Sequence, residues 1–408
     1  MKNNSIKNNY ILDKTKIKEF MLIINSSEIF YSRPDLAERY NLICAFKDRL
    51  YTAVDYLNKY TSVPESETDF INYMVYASML YDGIKHFYEN LFSKVPDFIK
   101  RKKYFKNVKN YNSYYFTDET CPEDYVFFEY LRSMTFAHPY DTTKKRYTNR
   151  LFMDNGEIHY CPWVVINDIT SIFNNIPDSV GIKIYSNKKR NESDIITLTF
   201  SFGSLQGFIQ EVYNKGINNF IDWAKQEIDN QNSIWINTKV NRNRDTLSIL
   251  KEIKSILETR FKDTYTIDRA IMYLTCDLTI DTNIKNVDIF RGAIKNKIIP
   301  LCDCIDNLDY EGIEEQLSLL YDRPDNLHDM ADYQLEKIYT YLYERSEDID
   351  PHSDECWGLQ QAYNFYNQFA KKWVTIDVVT MQYDEIKLLV ATACYLERQE
   401  QMNKKYSN

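Results

Sequence analysis

Glycine and proline are scarce, 9 and 10 in a chain of 408 residues. Their scarcity excludes collagen-like and low-complexity sequences. It also argues against a turn-dense all-β fold, and it leaves long helices uninterrupted. Cysteine is sparse as well, eight in the whole chain. That density is far from a disulfide scaffold and points to a reducing compartment. No run of eighteen apolar residues exists, so no transmembrane helix and no membrane partner are expected. Residues 1–10 are polar, with no apolar core segment of a signal peptide. The expectation is a cytoplasmic protein. A glycine-rich phosphate loop is missing too: Gly203 and Gly207 do not form one, which argues against ATP or GTP. Cys302, Asp303 and Cys304, taken with His352 and Cys356, match no zinc spacing, so neither a metal nor another cofactor is expected.

What the chain does have is aromatic bulk, with 34 Tyr and 22 Phe, suited to core packing and in part to recognition. Its net charge of −9 is unevenly spread. Residues 1–190 hold 27 Lys+Arg against 23 Asp+Glu, a net of +4, and residues 191–408 hold 23 against 36, a net of −13. The first half is therefore the one that can attract a polyanion.

The length allows two or three domains. Apolar spacing predicts a short helical segment over 15–31, then long helices over 36–60, with Asp35 as N-cap, and 67–93. Ser66 and Asp69 resemble a capping box. The short link between the long helices predicts an antiparallel hairpin. A third helix opens at Cys121-Pro122-Glu123-Asp124, with acidic residues where the helix dipole favours them, and is closed by Pro139. Residues 158–166 are apolar and β-branched, and two strands are expected over 180–185 and 195–202. The last alternates, with Ile196, Leu198, Phe200 and Phe202 opposite Thr197, Thr199 and Ser201. From 205 onward the pattern is helical. The reading is a mainly α protein in three parts: 1–155 a helical domain, 156–204 a small β subdomain, 205–408 a helical module.

One stretch looks like chemistry. Leu131-Arg132-Ser133-Met134-Thr135-Phe136-Ala137-His138-Pro139 ends the third helix. Arginine offers a permanently charged planar fork for phosphate oxygens. Histidine titrates near neutral pH and moves protons. Together they are a minimal kit for cutting RNA without a metal. On an ideal helix six residues turn the two side chains roughly 120° apart. Pro139 disfavours helical geometry at His138, so the chain can fold back there. Ser133 is expected to add a hydroxyl near the same cleft. The bland alternatives are His138 capping its own helix and Arg132 pairing with Glu129 or Asp141. His86, between Ile84, Phe87 and Tyr88, reads as a packed core histidine. Lys100, Arg101, Lys102, Lys103 and Tyr104 precede the motif, and Lys144, Lys145 and Arg146 follow it. Cations interleaved with aromatics suit a nucleic-acid backbone and its bases.

The run Arg132 to His138 resembles the Arg-x(4–6)-His signature of the HEPN superfamily, in which a polar residue follows the arginine. The resemblance covers roughly residues 35–150. It implies a compact helical bundle and a metal-independent endoribonuclease that leaves a 2′,3′-cyclic phosphate. It also implies a homodimer that brings two Arg–His pairs into one cleft, and a role as a toxin or phage-defence effector. Arg132 and His138 would be catalytic, with Ser133 accessory. The acidic C-terminal half is expected to bind a regulatory protein. The rival reading is a non-catalytic helical interaction protein in which the pair is structural.

Overall fold

Proline at position 34 starts the first long helix, where its missing N–H costs nothing. The computed structural model describes residues 10–110, 113–141, 158–166, 178–187, 196–325, 327–343 and 353–406. Helix α1 (Thr15–Asn25) and a short turn at Ile29–Ser32 precede α2 (Pro34–Leu57). The N-cap of α2 is Arg33; Asp35 sits inside the first turn, where it faces the helix dipole and pairs with Arg33 at 2.8 Å. Helix α3 (Glu67–Phe92) has the expected cap: the Ser66 hydroxyl accepts from the Asp69 backbone N–H at 3.1 Å. The reciprocal contact runs from the Ser66 hydroxyl to the Asp69 carboxylate at 2.7 Å. Helices α2 and α3 pack on one another as the hairpin read from the sequence.

Among the described residues, five strands form one antiparallel sheet. Two-residue strands β1 (Lys109–Asn110) and β2 (Ser113–Tyr114) precede helix α4 (Asp124–Arg132). The long strands follow as β3 (His159–Ile166), β4 (Ser179–Ser186) and β5 (Ile196–Ser201). Alternation had suggested one apolar and one polar face for β5. Thr197 and Thr199 are nonetheless buried along with Leu198 and Phe200, and β5 lies between β1 and β4. The sheet is tied to the N-terminal helices: β1 pairs with β5, and the Glu67 carboxylate accepts from the Val164 N–H at 2.8 Å.

Helix α5 (Phe202–Ile236) leaves the sheet. The chain divides into two compact units, residues 1–228 and 229–408. This division differs from the three parts expected at 155 and 204. The strands belong with the N-terminal helices, and the break falls inside one continuous helix, which no change of texture marks. In the first unit Phe46 stacks on Phe87 at 4.6 Å, and Phe220 of α5 meets Phe87 edge-on at the same distance. A Cβ on Gly216 would collide with Ile84, so glycine is what lets α5 lie this close to α3.

The second unit is helical among its described residues: α6 (Thr246–Thr259), α7 (Tyr265–Thr275), α8 (Ile284–Asn296), α9 (Ile298–Asp306), α10 (Tyr310–Leu317), α11 (Ala331–Tyr341), α12 (Ser353–Gln368) and α13 (Tyr383–Tyr406). Its core is aliphatic, centred on residues such as Leu250, Ile253, Leu301, Leu335 and Leu389. Cys302 is buried in that core. The protein is thus mainly α with a small antiparallel sheet. Among the described residues, no helix is long and apolar enough to cross a membrane.

Candidate functional site

Asp124 fixes the start of α4. It is 1% exposed, and its carboxylate accepts from three successive backbone N–H groups, those of Lys103, Tyr104 and Phe105, at 3.0, 2.9 and 3.3 Å. Its own N–H donates to the Arg101 carbonyl at 2.6 Å. The connector before β1 is thereby clamped to the helix that carries the motif. Phe127, Phe128, Tyr130 and Leu131 bury the inner face of α4 completely.

At Ser133 the helix widens into a single π turn, Ser133–Ala137. The His138 N–H donates to the Ser133 carbonyl, five residues back, at 2.8 Å. Pro139 is the local cause: it drives His138 out of helical geometry, to φ −147° and ψ 55°. The Thr135 hydroxyl takes up the Leu131 carbonyl at 2.8 Å. The end of the turn is then held by the sheet, where the Cys161 N–H donates to the Pro139 carbonyl at 2.9 Å. His159 of β3, fully buried, has its Nδ1 3.1 Å from the Tyr130 hydroxyl. Single π turns recur at functional positions in helices.

The motif residues stand in three different environments. Arg132 is partly exposed, and its Nη1 lies 2.6 Å from Asp82 Oδ2 on α3. Its carboxylate partner is therefore fifty residues away, not Glu129 or Asp141. Glu129 is occupied elsewhere, accepting from Lys85 Nζ at 3.0 Å and the Tyr81 hydroxyl at 3.1 Å. His138 is half-buried at the end of the π turn. Ser133 is 2% exposed, and its hydroxyl has no hydrogen-bond partner among the described residues. It therefore does not present a donor to an open cleft as expected; the π turn rolls it inward.

Asp82 leads to a feature the sequence did not advertise. A cleft of about 380 Å³ opens between α2 and α3. Leu42, Phe46 and Leu50 line it with apolar surface, and Arg49, Asp82 and His86 add charge and an imidazole. Asp82 and His86 share one face of α3, four residues apart. His86 is exposed, so it is not the packed core histidine that its apolar neighbours suggested. Burial pushes the Asp82 carboxyl above its ordinary range, and Arg132 opposes that shift.

The basic residues before the motif are partly spoken for. Arg101 Nη1 and Lys103 Nζ each reach Glu211 of α5 at 2.9 Å, and the Tyr104 hydroxyl donates to the same carboxylate at 2.6 Å. Lys215 completes the cluster at 2.9 Å. Lys100 pairs with Asp97 at 3.0 Å. Lys102 is exposed and in no ion pair among the described residues. Lys144, Lys145 and Arg146 lie outside the described residues.

Burial pushes the Glu211 carboxyl up, but the hydrogen bonds from Tyr104, Lys215 and Lys103 outweigh it and hold it at about 2, below the ordinary 4.5. A carboxyl depressed on folding stabilises the native state fully above its unfolded pKa, and that stability is lost as the pH falls toward the folded value. Glu211→Gln is therefore expected to cost about 1–3 kcal/mol at pH 7. In urea denaturation the gap from wild type should close between about pH 4.5 and pH 2. A gap that stays constant across that window would show that the charge on Glu211 is not what holds the connector.

Among the described residues no cluster of His, Cys, Asp and Glu is arranged to hold a metal ion. Comparison with protein-family models, curated proteins and solved structures finds no match to this chain.

Proposed function

We propose that the protein is an endoribonuclease that cuts RNA without a metal, by attack of the 2′-hydroxyl on its own phosphodiester. One observation carries the reading. Arg132 is a partly exposed guanidinium at the end of a buried helix, and the carboxylate that pairs with it, Asp82, is itself partly exposed. Such an arginine can exchange its carboxylate for a phosphate, whose oxygens suit its planar fork. Arg132 then neutralises the phosphorane, and His138, at the end of the same turn, transfers a proton.

Two proton transfers are needed, one from the nucleophile and one to the leaving 5′-oxygen. In a homodimer the second imidazole is His138 of the other copy across a two-fold axis. His86 favours a second reading, since it stands exposed in the cleft beside Asp82 and offers an imidazole within one chain. His86→Ala separates the two: it spares the rate if the dimer supplies the second group, and lowers it about 10²-fold or more if His86 does. The acidic C-terminal half repels RNA, which suits a surface for a basic regulatory protein. A toxin or defence role follows from this reading.

The direct test is purified full-length protein incubated with total RNA, with and without EDTA. Cleavage is expected at the same rate in both. Abolition by EDTA would replace the account with a metal-dependent one, and intact RNA in both would favour an interaction protein.

A further inference from the structure

The second unit contains a pocket of about 500 Å³, within the range of small-molecule sites, where α7, α10, the turn after α10 and α13 converge. Two guanidiniums line it, Arg323 and Arg398, together with the carboxylates of Asp322 and Glu314 and with Ser318, Tyr321 and Thr266. Neither arginine is saturated. Arg323 reaches Asp332 at 3.5 Å, and Arg398 reaches Asp322 and Asp325 at 3.8 and 3.6 Å, too far for the short bidentate pairs that arginine prefers. The shortest hydrogen bond from either fork runs from Arg398 Nη1 to the Arg323 carbonyl, at 2.8 Å, which draws the two arginines together at one mouth.

A third cation stands behind the wall. Arg269 is 5% exposed and sits in a cage of Tyr265, Tyr321 and Tyr339, with its Cζ 4.4–4.7 Å from each ring centroid. Nη2 reaches the Tyr265 hydroxyl, while Nη1 is buried with no hydrogen-bond partner among the described residues. Rings delocalise such a charge but do not cancel it. Tyr321 belongs both to the cage and to the pocket wall, and its hydroxyl lies 3.3 Å from that of Thr266. The pocket therefore sits beside three arginines, with the carboxylates of Asp322 and Glu314 in its wall.

Asp322 sets the other half of the specificity. Its side chain is 17% exposed, and no hydrogen bond reaches its carboxylate among the described residues. Burial pushes that carboxyl up to about 6 against the pull of Arg398 and Arg323, as expected of a group short of donors. We propose that this pocket binds a small molecule that carries an anionic oxygen group, held by the forks of Arg323 and Arg398, and an N–H donor, given to Asp322. A phosphate monoester with an amino-bearing ring and an amino acid both present that chemistry. The site stands whether or not the first unit cuts RNA.

Calorimetric titration of the full-length chain with AMP, L-glutamine and inorganic phosphate tests it. One of the first two is expected to bind one per chain, and which one does so distinguishes phosphate from carboxylate. Inorganic phosphate, lacking the donor, should bind at least about tenfold more weakly than the better of them. Arg323→Gln and Arg398→Gln should each weaken binding by about tenfold or more, with unchanged thermal melts as the check on folding. Arg398→Lys, which keeps the charge but not the fork, should fall between. No heat from AMP or L-glutamine at millimolar concentration would overturn the proposal, as would binding that both glutamine variants leave intact.

Discussion

Arg132→Ala is expected to lower the rate of RNA cleavage by roughly 10²–10⁴-fold, and His138→Ala by a similar factor. The two losses have different origins. Without Arg132 the charge that builds on the phosphorane has no fixed counter-charge, and a hydrated lysine replaces the fork poorly. Without His138 one proton transfer falls to water. Both side chains lie at the rim of a buried helix, so neither change opens a core: Arg132 is partly exposed and His138 half-buried. Circular dichroism and melting temperature should stay close to wild type. Combining the two substitutions should cost little more than the worse single one, because groups that act on one transition state are not additive. Wild-type rates in both single variants would leave the π turn as architecture alone.

The largest effect on stability should come from Arg260→Ala, at about 3–5 kcal/mol, the range for truncating a large, fully buried side chain. Arg260 is 1% exposed. Nη1 donates to the Ile305 carbonyl at 2.7 Å, and Nη2 donates to those of Trp235 and Thr238 at 2.8 and 3.3 Å. Ile305 and Trp235 lie near the C-termini of α9 and α5, where carbonyls lack helical partners and the dipole favours a cation. One guanidinium thus ties two helix ends together, and alanine would remove that donor from the buried carbonyls of Ile305 and Trp235. Arg260→Lys should recover only part of the loss, because one ammonium cannot reach both ends. The urea midpoint measures the effect. A cost below about 1 kcal/mol would mean that water enters and replaces the arginine.

The helical hairpin was legible because its signals are local. Apolar spacing marked α2 and α3, and Ser66 capped the second as read. Pro139 gave away the end of the motif helix, though not the π turn, which depends on how the chain packs after Ser133. What stayed hidden is long-range. Asp82 is one polar residue in a helical pattern, and nothing local says that it meets Arg132. His86 was misread from its chain neighbours, yet on a helix adjacent residues face different directions; its true company is Asp82 and Arg49. Glu211 gathers Arg101, Lys103 and Tyr104 from more than a hundred residues away, which turns part of an apparent RNA-binding stripe into a structural clamp. Strands β1 and β2 are two residues long and too short to carry a period.

The central claim is that the substrate supplies its own nucleophile. An RNA oligonucleotide cut by the wild-type protein should be resynthesised with a single 2′-deoxy sugar on the 5′ side of the cleaved bond. Loss of cleavage at that bond alone, with a 2′,3′-cyclic phosphate on the product of the unmodified strand, is the predicted result. Continued cleavage at the deoxy position, or a 5′ fragment ending in a 3′-hydroxyl, would contradict it.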